Sequence, residues 1–197
     1  MDNERKVRPA IVCDLDGTVR FHKDQLQTNR RLKRFINRPT DIVLRPGVAD
    51  VLWQHVEDGY LIFGLTNQGG VAFGYKTEDD LKDELHYMVK RFEEKHKHGY
   101  PFDMVYASCR HEKSDDPVYG VRSLARKPRY GGLVVLEDSA SKNGYVVDWD
   151  NSIMVGDRQE DKQCAEAAEV EFKWAWEFFE PVAFEKTLED YHEKPIQ

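Results

Sequence analysis

The feature that most constrains this chain is a recurring alternation of short apolar runs, each closed by a polar turn, with amphipathic stretches between them. Ala10-Ile11-Val12-Cys13, Tyr60-Leu61-Ile62-Phe63-Gly64-Leu65, Met104-Val105-Tyr106-Ala107 and Ile153-Met154-Val155 are too short for helices and too continuously apolar for strands with one wet face. Strands of this kind belong to a parallel sheet buried on both sides, so the fold class is α/β. The intervening segments predict helices over about 48–58, 77–98, 131–141 and 160–169. Arg45-Pro46-Gly47 punctuates the entry to the first of these and Gly59 closes it. Thr77-Glu78-Asp79-Asp80 is placed to cap the second, whose Leu81, Leu85, Met88, Val89 and Phe92 recur at helical spacing as core contacts.

In a sheet of this type the connections are right-handed and the strands deliver their carboxyl ends to one edge, where ligands bind. Asp14 and Asp16 follow the first strand, Thr66 and Asn67 the second, and Asp157 the fourth, so residues more than a hundred positions apart converge. Together they match what phosphate-monoester cleavage demands: a positioned nucleophile, cancellation of phosphoryl charge, and a proton for the leaving oxygen. Asp14 suits the nucleophile, forming an aspartyl-phosphate that water then hydrolyses. Asp16 suits the general acid and base. Carboxylates gathered beside a doubly charged phosphate need a hard dication, and Mg2+ fits, held by Asp14, the backbone carbonyl of Asp16, and Asp157. The Thr66 hydroxyl and the Lys127 ammonium can both contact phosphate oxygens. Taken singly, a DxDGT run is a turn, Thr66-Asn67 a loop and Lys127 a surface lysine; their joint occurrence, each behind an apolar run, carries the signal.

With 197 residues, 40% of them hydrophobic, the chain can bury one sizeable core, and a single domain over 1–197 is expected, with a basic insertion at 19–45 and a polar loop at 108–125. The charged N-terminus and the lack of any apolar run near the ~20 residues of a membrane span point to a soluble, cytoplasmic protein with no membrane partner. Cys13, Cys109 and Cys164 are too few and scattered for a disulfide framework. The net charge of −7 hides an asymmetry: 19–38 holds seven Lys/Arg against Asp24 alone, while 157–197 holds twelve Asp/Glu against five Lys/Arg. The basic stretch is either a solvated helix face or a patch for an anionic substrate.

Four motifs, Asp14-Leu15-Asp16-Gly17-Thr18, Leu65-Thr66-Asn67-Gln68, Arg126-Lys127-Pro128 and Val155-Gly156-Asp157-Arg158-Gln159-Glu160-Asp161, resemble those of the haloacid-dehalogenase-like (HAD) hydrolases over nearly the whole chain. The TNQGG and RKP forms are more specifically similar to the branch of histidinol-phosphate phosphatases, heptose-bisphosphate phosphatases and polynucleotide 3′-phosphatases. This resemblance implies a Rossmann-like three-layer α/β/α fold with a central, mainly parallel sheet and little or no cap domain. It also places Asn67, Arg126 and Lys127 in the phosphate-proximal pocket, with Asp161 behind the metal ligands. Relatives in the heptose and histidinol branches often bind a structural zinc. Here Cys109-Arg110-His111 keeps the first half of that site, but Ser123-Leu124-Ala125 stands where the later cysteines would be, so no zinc is expected. The 172–179 aromatics are reminiscent of polynucleotide 3′-phosphatases, although core packing is their simpler role.

Two substrates follow from these readings. A small phosphorylated metabolite of the sugar- or histidinol-phosphate type suits the acidic net charge, and a 3′-phosphorylated nucleic-acid end suits the basic stretch and an open site. A third possibility, of another class, is a non-catalytic binding protein on the same fold.

Overall fold

All four residues of the first apolar run are wholly buried, which a strand achieves only at the centre of a sheet covered on both faces. A computed structural model describes residues 5–28 and 35–180. The chain runs β1 (Lys6–Arg8), β2 (Ala10–Cys13), β3 (Arg20–His22), α1 (Lys23–Thr28), β4 (Ile42–Leu44), α2 (Val48–Glu57), β5 (Leu61–Asn67), α3 (Glu78–Lys95), β6 (Met104–Ser108), α4 (Gly131–Lys142), β7 (Tyr145–Val147), β8 (Ile153–Gly156), α5 (Gln159–Ala167), β9 (Glu171–Trp174) and α6 (Ala175–Phe178). Five parallel strands form the main sheet in the order β6-β5-β2-β8-β9.

The period of two along each strand divides the core. Ile11, Cys13, Ile62 and Val155 pack with Val48 and Leu52 of α2 and Met88 and Phe92 of α3. Ala10, Val12, Phe63 and Met154 turn the other way, onto Leu133 and Leu136 of α4 and Cys164 and Ala165 of α5. The result is the three-layer, Rossmann-like α/β/α arrangement. Because β5 and β8 flank β2 on opposite sides, the crevice opens at the carboxyl end of β2, where Asp14 begins.

Local rules account for most element ends. Thr77 and Asp80 form a capping box at α3, with Thr77 Oγ1 accepting from Asp80 N at 3.1 Å and Thr77 N donating to Asp80 Oδ2 at 2.8 Å, an arrangement worth about 1 kcal/mol. That helix stops at Lys95, three residues short of the expected end, because His96 is extended and Gly99 turns with positive φ. The second strand starts one residue later than expected and runs on through Thr66 and Asn67, which pair with Ala107 and Ser108 of β6. Both residues are therefore held by the sheet instead of riding on a loop.

Between β2 and α2 the described residues contain one antiparallel ribbon, β3 with β4, the short α1, and a single 3-10 turn, Pro39–Asp41. Among the described residues this leaves a ribbon, and no second domain, over that part of the sheet edge. Arg30, Arg31, Lys33 and Arg34 of the basic stretch, and the acidic tail past residue 180, lie outside the described residues. Arg20 departs from expectation: it is fully buried, paired with Asp16 and Glu84, and takes no part in an exposed basic face. Among the described residues no helix is long and apolar enough to cross a membrane.

Candidate active site

β2 ends at Cys13, and the chain then turns sharply through Asp14-Leu15-Asp16-Gly17-Thr18. Asp14 N donates to Val155 O, while the amides of Val19 and Arg20 both donate to Leu15 O, so the turn is tied to β8 and closed on itself. Gly17 takes φ +100°, and a Cβ there would stand 2.3 Å from Asp157 Oδ2; only glycine lets the two segments approach so closely. Arg45, also buried, braces the turn from below by donating from Nε to Thr18 O at 2.5 Å and from Nη2 to Gly17 O at 3.3 Å. Its guanidinium lies over the rings of Phe21 and Phe179, which covers the charge with polarisable faces.

The structure brings Asp14, Asp157 and Asp161 together, one carboxylate oxygen of each lying within 4.8 Å of the others. Lys127 Nζ sits among them, 2.6 Å from Asp14 Oδ1, 2.7 Å from Asp161 Oδ1 and 2.6 Å from Leu65 O. Asp161 uses its other oxygen to accept from Arg158 N at 3.0 Å, capping α5. Both Asp161 oxygens are thus engaged within the protein, while Asp14 and Asp157 stand closest to the crevice. With all three carboxylates ionised, Lys127 and Arg158, whose Nε lies 3.9 Å from Asp157 Oδ1, leave the cluster with one excess negative charge. Burial raises Asp14 to about 8, and Asp161 and Asp157 add to that against the downward pull of Lys127. Lys127, in turn, is held firmly protonated by Asp14 and Asp161 in spite of its burial. A hard dication matches both the oxygen donors and the excess charge of this set.

Asp16 points away from the cluster. Its Oδ1 accepts from Arg20 Nε at 2.7 Å and its Oδ2 from Gln68 Nε2 at 2.7 Å. Burial alone would lift its pKa, but the Arg20 charge and hydrogen bond, helped by Lys76 and Gln68, outweigh it and hold the carboxyl below the ordinary range. Gln68 Nε2 also donates to Thr66 Oγ1 at 3.0 Å, leaving the Thr66 hydroxyl proton available to an incoming oxygen. Asn67 is committed to the protein: it accepts from Lys127 N at 3.1 Å and donates to Lys127 O at 2.9 Å, fixing the backbone that carries the lysine, and it reaches Glu160 at 3.3 Å. The half-buried Arg126 stands at the rim beside Gly69 and donates to Arg110 O at 3.4 Å.

Cys109 is half-buried, His111 accepts from Lys113 N and packs on Phe73, and Leu124 is exposed. Of the 172–179 aromatics, Trp176 and Phe179 are buried, and Trp174 stacks on Trp176 at 4.7 Å.

Sequence reasoning missed Gln68, Arg20, Arg45, Glu84 and Lys76. A signal existed for two of them. Glu84 lies on the same α3 stripe as Leu81 and Met88, and an acid inside an apolar stripe implies a buried cation; Arg20 sits between Val19 and Phe21.

Known proteins resemble the chain over most of its length. The family described as polynucleotide kinase 3 phosphatase matches residues 10–179. A probable D-glycero-D-manno-heptose-1,7-bisphosphate 7-phosphatase of Thermoplasma volcanium is 32% identical over 77% of this chain and 86% of its own. The D-glycero-beta-D-manno-heptose-1,7-bisphosphate 7-phosphatase of Rhodopseudomonas palustris is 30% identical over 82% of this chain and 79% of its own. Among solved structures, the D,D-heptose 1.7-bisphosphate phosphatase from B. bronchiseptica, complexed with magnesium and phosphate, superposes with a TM-score of 0.62 over 94% of this chain and 99% of that one, at 20% identity.

Proposed function

The chain belongs to the polynucleotide kinase 3 phosphatase family, and we propose that it acts as a magnesium-dependent phosphomonoesterase on a small sugar phosphate. The observation that carries this reading is the Asp14, Lys127, Asp157 and Asp161 cluster at the carboxyl end of β2, with Asp16 and Thr66 on its border. The heptose-bisphosphate phosphatases that resemble the chain support the substrate class. In this reading residues 1–197 form one phosphatase domain, with 19–45 and 108–125 as its excursions, and every position of the set carries the reactive group, which argues against a non-catalytic protein.

Asp14, Asp157 and the backbone carbonyl of Asp16 would hold the magnesium, which when bound supplies positive charge to the phosphate and neutralises the carboxylates. Asp14 Oδ attacks phosphorus as the bond to the leaving oxygen breaks. Asp16, ionised in the free protein, takes up a proton as the negative phosphate settles beside it and gives that proton to the leaving oxygen; it then takes one from the water that cleaves the aspartyl-phosphate, so that phosphate leaves and both carboxyl groups return to the states they held in the complex. Thr66 donates its hydroxyl to a phosphate oxygen. Lys127 orients Asp14 and opposes the rise that burial gives its pKa, Asn67 fixes the backbone of Lys127, Asp161 holds the ammonium from behind, and Arg126 receives the more distant part of the substrate.

A 3′-phosphorylated nucleic-acid end is a second reading, favoured by the family description. The burial of Arg20 removes one charge from the stretch that would follow a phosphate backbone. A phosphate-release panel with and without magnesium tests both, using heptose-1,7-bisphosphate, histidinol phosphate, nucleotides and 3′-phosphorylated oligonucleotides. The sugar bisphosphate is expected to be the best substrate. A preference for oligonucleotides that falls steeply with salt would move the assignment to the second reading, and no phosphate release from any of them would end both.

A further inference from the structure

Behind Asp16 lies a set of buried charges that the proposed mechanism does not use. Arg20 is wholly buried and donates from Nε to Asp16 Oδ1 at 2.7 Å. Its Nη2 is 3.6 Å from Glu84 Oε2, and Glu84 is also wholly buried, on α3. Lys76 Nζ donates to both Glu84 oxygens, at 3.0 and 2.8 Å, and to Ile36 O at 3.0 Å. Two anions and two cations thus alternate from the rim of the crevice into the protein, joining the β2 turn, the start of α3 and the segment before β4.

A quartet of this kind, with Arg20, Glu84 and Lys76 buried and Asp16 at the rim, is a poor device for stability alone, because desolvating the three inner charges costs about as much as their attraction returns. It does favour one direction: Nε is hydrogen-bonded to Asp16 and Glu84 draws Nη2 from behind at ion-pair distance, so the guanidinium is biased to one orientation and the carboxylate in front of it inherits that bias. The backbone repeats the constraint, since Gly17 N donates to Arg20 O at 2.8 Å and Arg20 N to Leu15 O at 2.9 Å. Arg20 is therefore locked to the turn carrying Asp16 by main chain and side chain together.

We propose that Arg20 is the positioning residue of Asp16, and that Glu84 and Lys76 set the angle at which Arg20 presents it to the leaving group. This inference rests on the reading of Asp16 as general acid and base. Arg20 touches neither phosphate nor the reacting atoms; it acts through Asp16, with Gln68 bracing the second carboxylate oxygen.

The consequence separates two chemical steps. An alkoxide leaving from a sugar phosphate needs the proton of Asp16, whereas p-nitrophenolate leaves without one; hydrolysis of the aspartyl-phosphate needs Asp16 as base in both cases. In Arg20→Gln, kcat on the sugar phosphate is expected to fall about 10- to 100-fold. With p-nitrophenyl phosphate the first turnover should stay within about 3-fold of wild type and then give way to a slow phase, visible as a burst approaching one p-nitrophenolate per site. Arg20→Lys, which restores the charge, should recover part of the loss, and Asp16→Asn should show the same burst.

Glu84→Gln keeps the shape of its side chain and removes only the charge behind Arg20. It should show the same selective pattern at about 3- to 10-fold, and it decides the matter if Arg20→Gln does not fold. Equal losses on both substrates without a burst, or no loss in either variant, would overturn the proposal. A wild-type protein that releases no phosphate from any ester would instead remove the phosphatase reading beneath it.

Discussion

Replacing Asp14 with Asn should abolish turnover, yet its effect on stability is the more searching test. The amide has the shape of the carboxylate, and its oxygen can still accept from Lys127, now 2.6 Å away. What disappears is one of three clustered negative charges. Burial, reinforced by Asp161 and Asp157 and opposed by Lys127, raises Asp14 from 3.8 to about 8. With its folded pKa above its unfolded one, the metal-free native state binds more protons than the unfolded chain between about pH 4 and 8. Wild-type stability must then fall as pH rises through that window, and Asp14→Asn has no such term. At about pH 7.5 the difference is worth roughly 2–4 kcal/mol, which is about half the full displacement because water enters a metal-free cluster. For a chain of this size that corresponds to about 4–16 °C. Thermal unfolding in a chelator should show Asp14→Asn melting above wild type at about pH 7.5, with the gap shrinking to about a third near pH 5. Magnesium at about 100 times its dissociation constant should stabilise wild type by about 2.7 kcal/mol and the variant far less, closing or reversing the order. A metal-free variant that melts below wild type at pH 7.5, or a gap that ignores pH, would refute this account of the cluster.

Lys127→Met leaves Asp14 and Asp161 without the cation they share; kcat should drop about 10²- to 10³-fold, and the metal-free melting point by about 6–20 °C, as measured by steady-state kinetics and calorimetry. Gly17→Ala puts a methyl 2.3 Å from Asp157 Oδ2 on a backbone at φ +100°, so the magnesium concentration for half-maximal activity should rise about 10-fold or more in a metal titration. Arg45→Met removes the brace under Thr18 and Gly17 and should cost about 2–4 kcal/mol in urea unfolding, with activity lost before bulk helix content as denaturant is added.

The central strands were legible because burial on both faces demands uninterrupted apolar residues, and β2, β5, β6 and β8 supply them. β1, with Lys6 and Arg8 around Val7, and β3, with Arg20 and His22 around Phe21, carry no such signature. Each exists because a partner lies alongside, β7 for the first and β4 for the second, and pairing is decided in three dimensions. The convergence of Asp14, Thr66 and Asp157 could be deduced from strand order; Lys127 follows no apolar run and was reached from the charge a phosphate needs, while the place of Asp161 came from resemblance alone. Charge composition misled at Arg20. A count of lysines and arginines sees a basic stretch, while Asp16 and Glu84, four and sixty-four residues away, turn one of its members inward.

The segment from Cys109 to Arg126 contributes no fully buried side chain, although it lies against Gly69 through His111 and Arg126. The reacting groups hang from strand ends, and this stretch borders them without helping to hold the sheet together. Among the described residues it is therefore a part with freedom to change: lengthened, shortened or exchanged with a relative's ahead of Leu124, whose carbonyl accepts from Gly131 N, it would pass one chemical engine from substrate to substrate while the central sheet kept its packing.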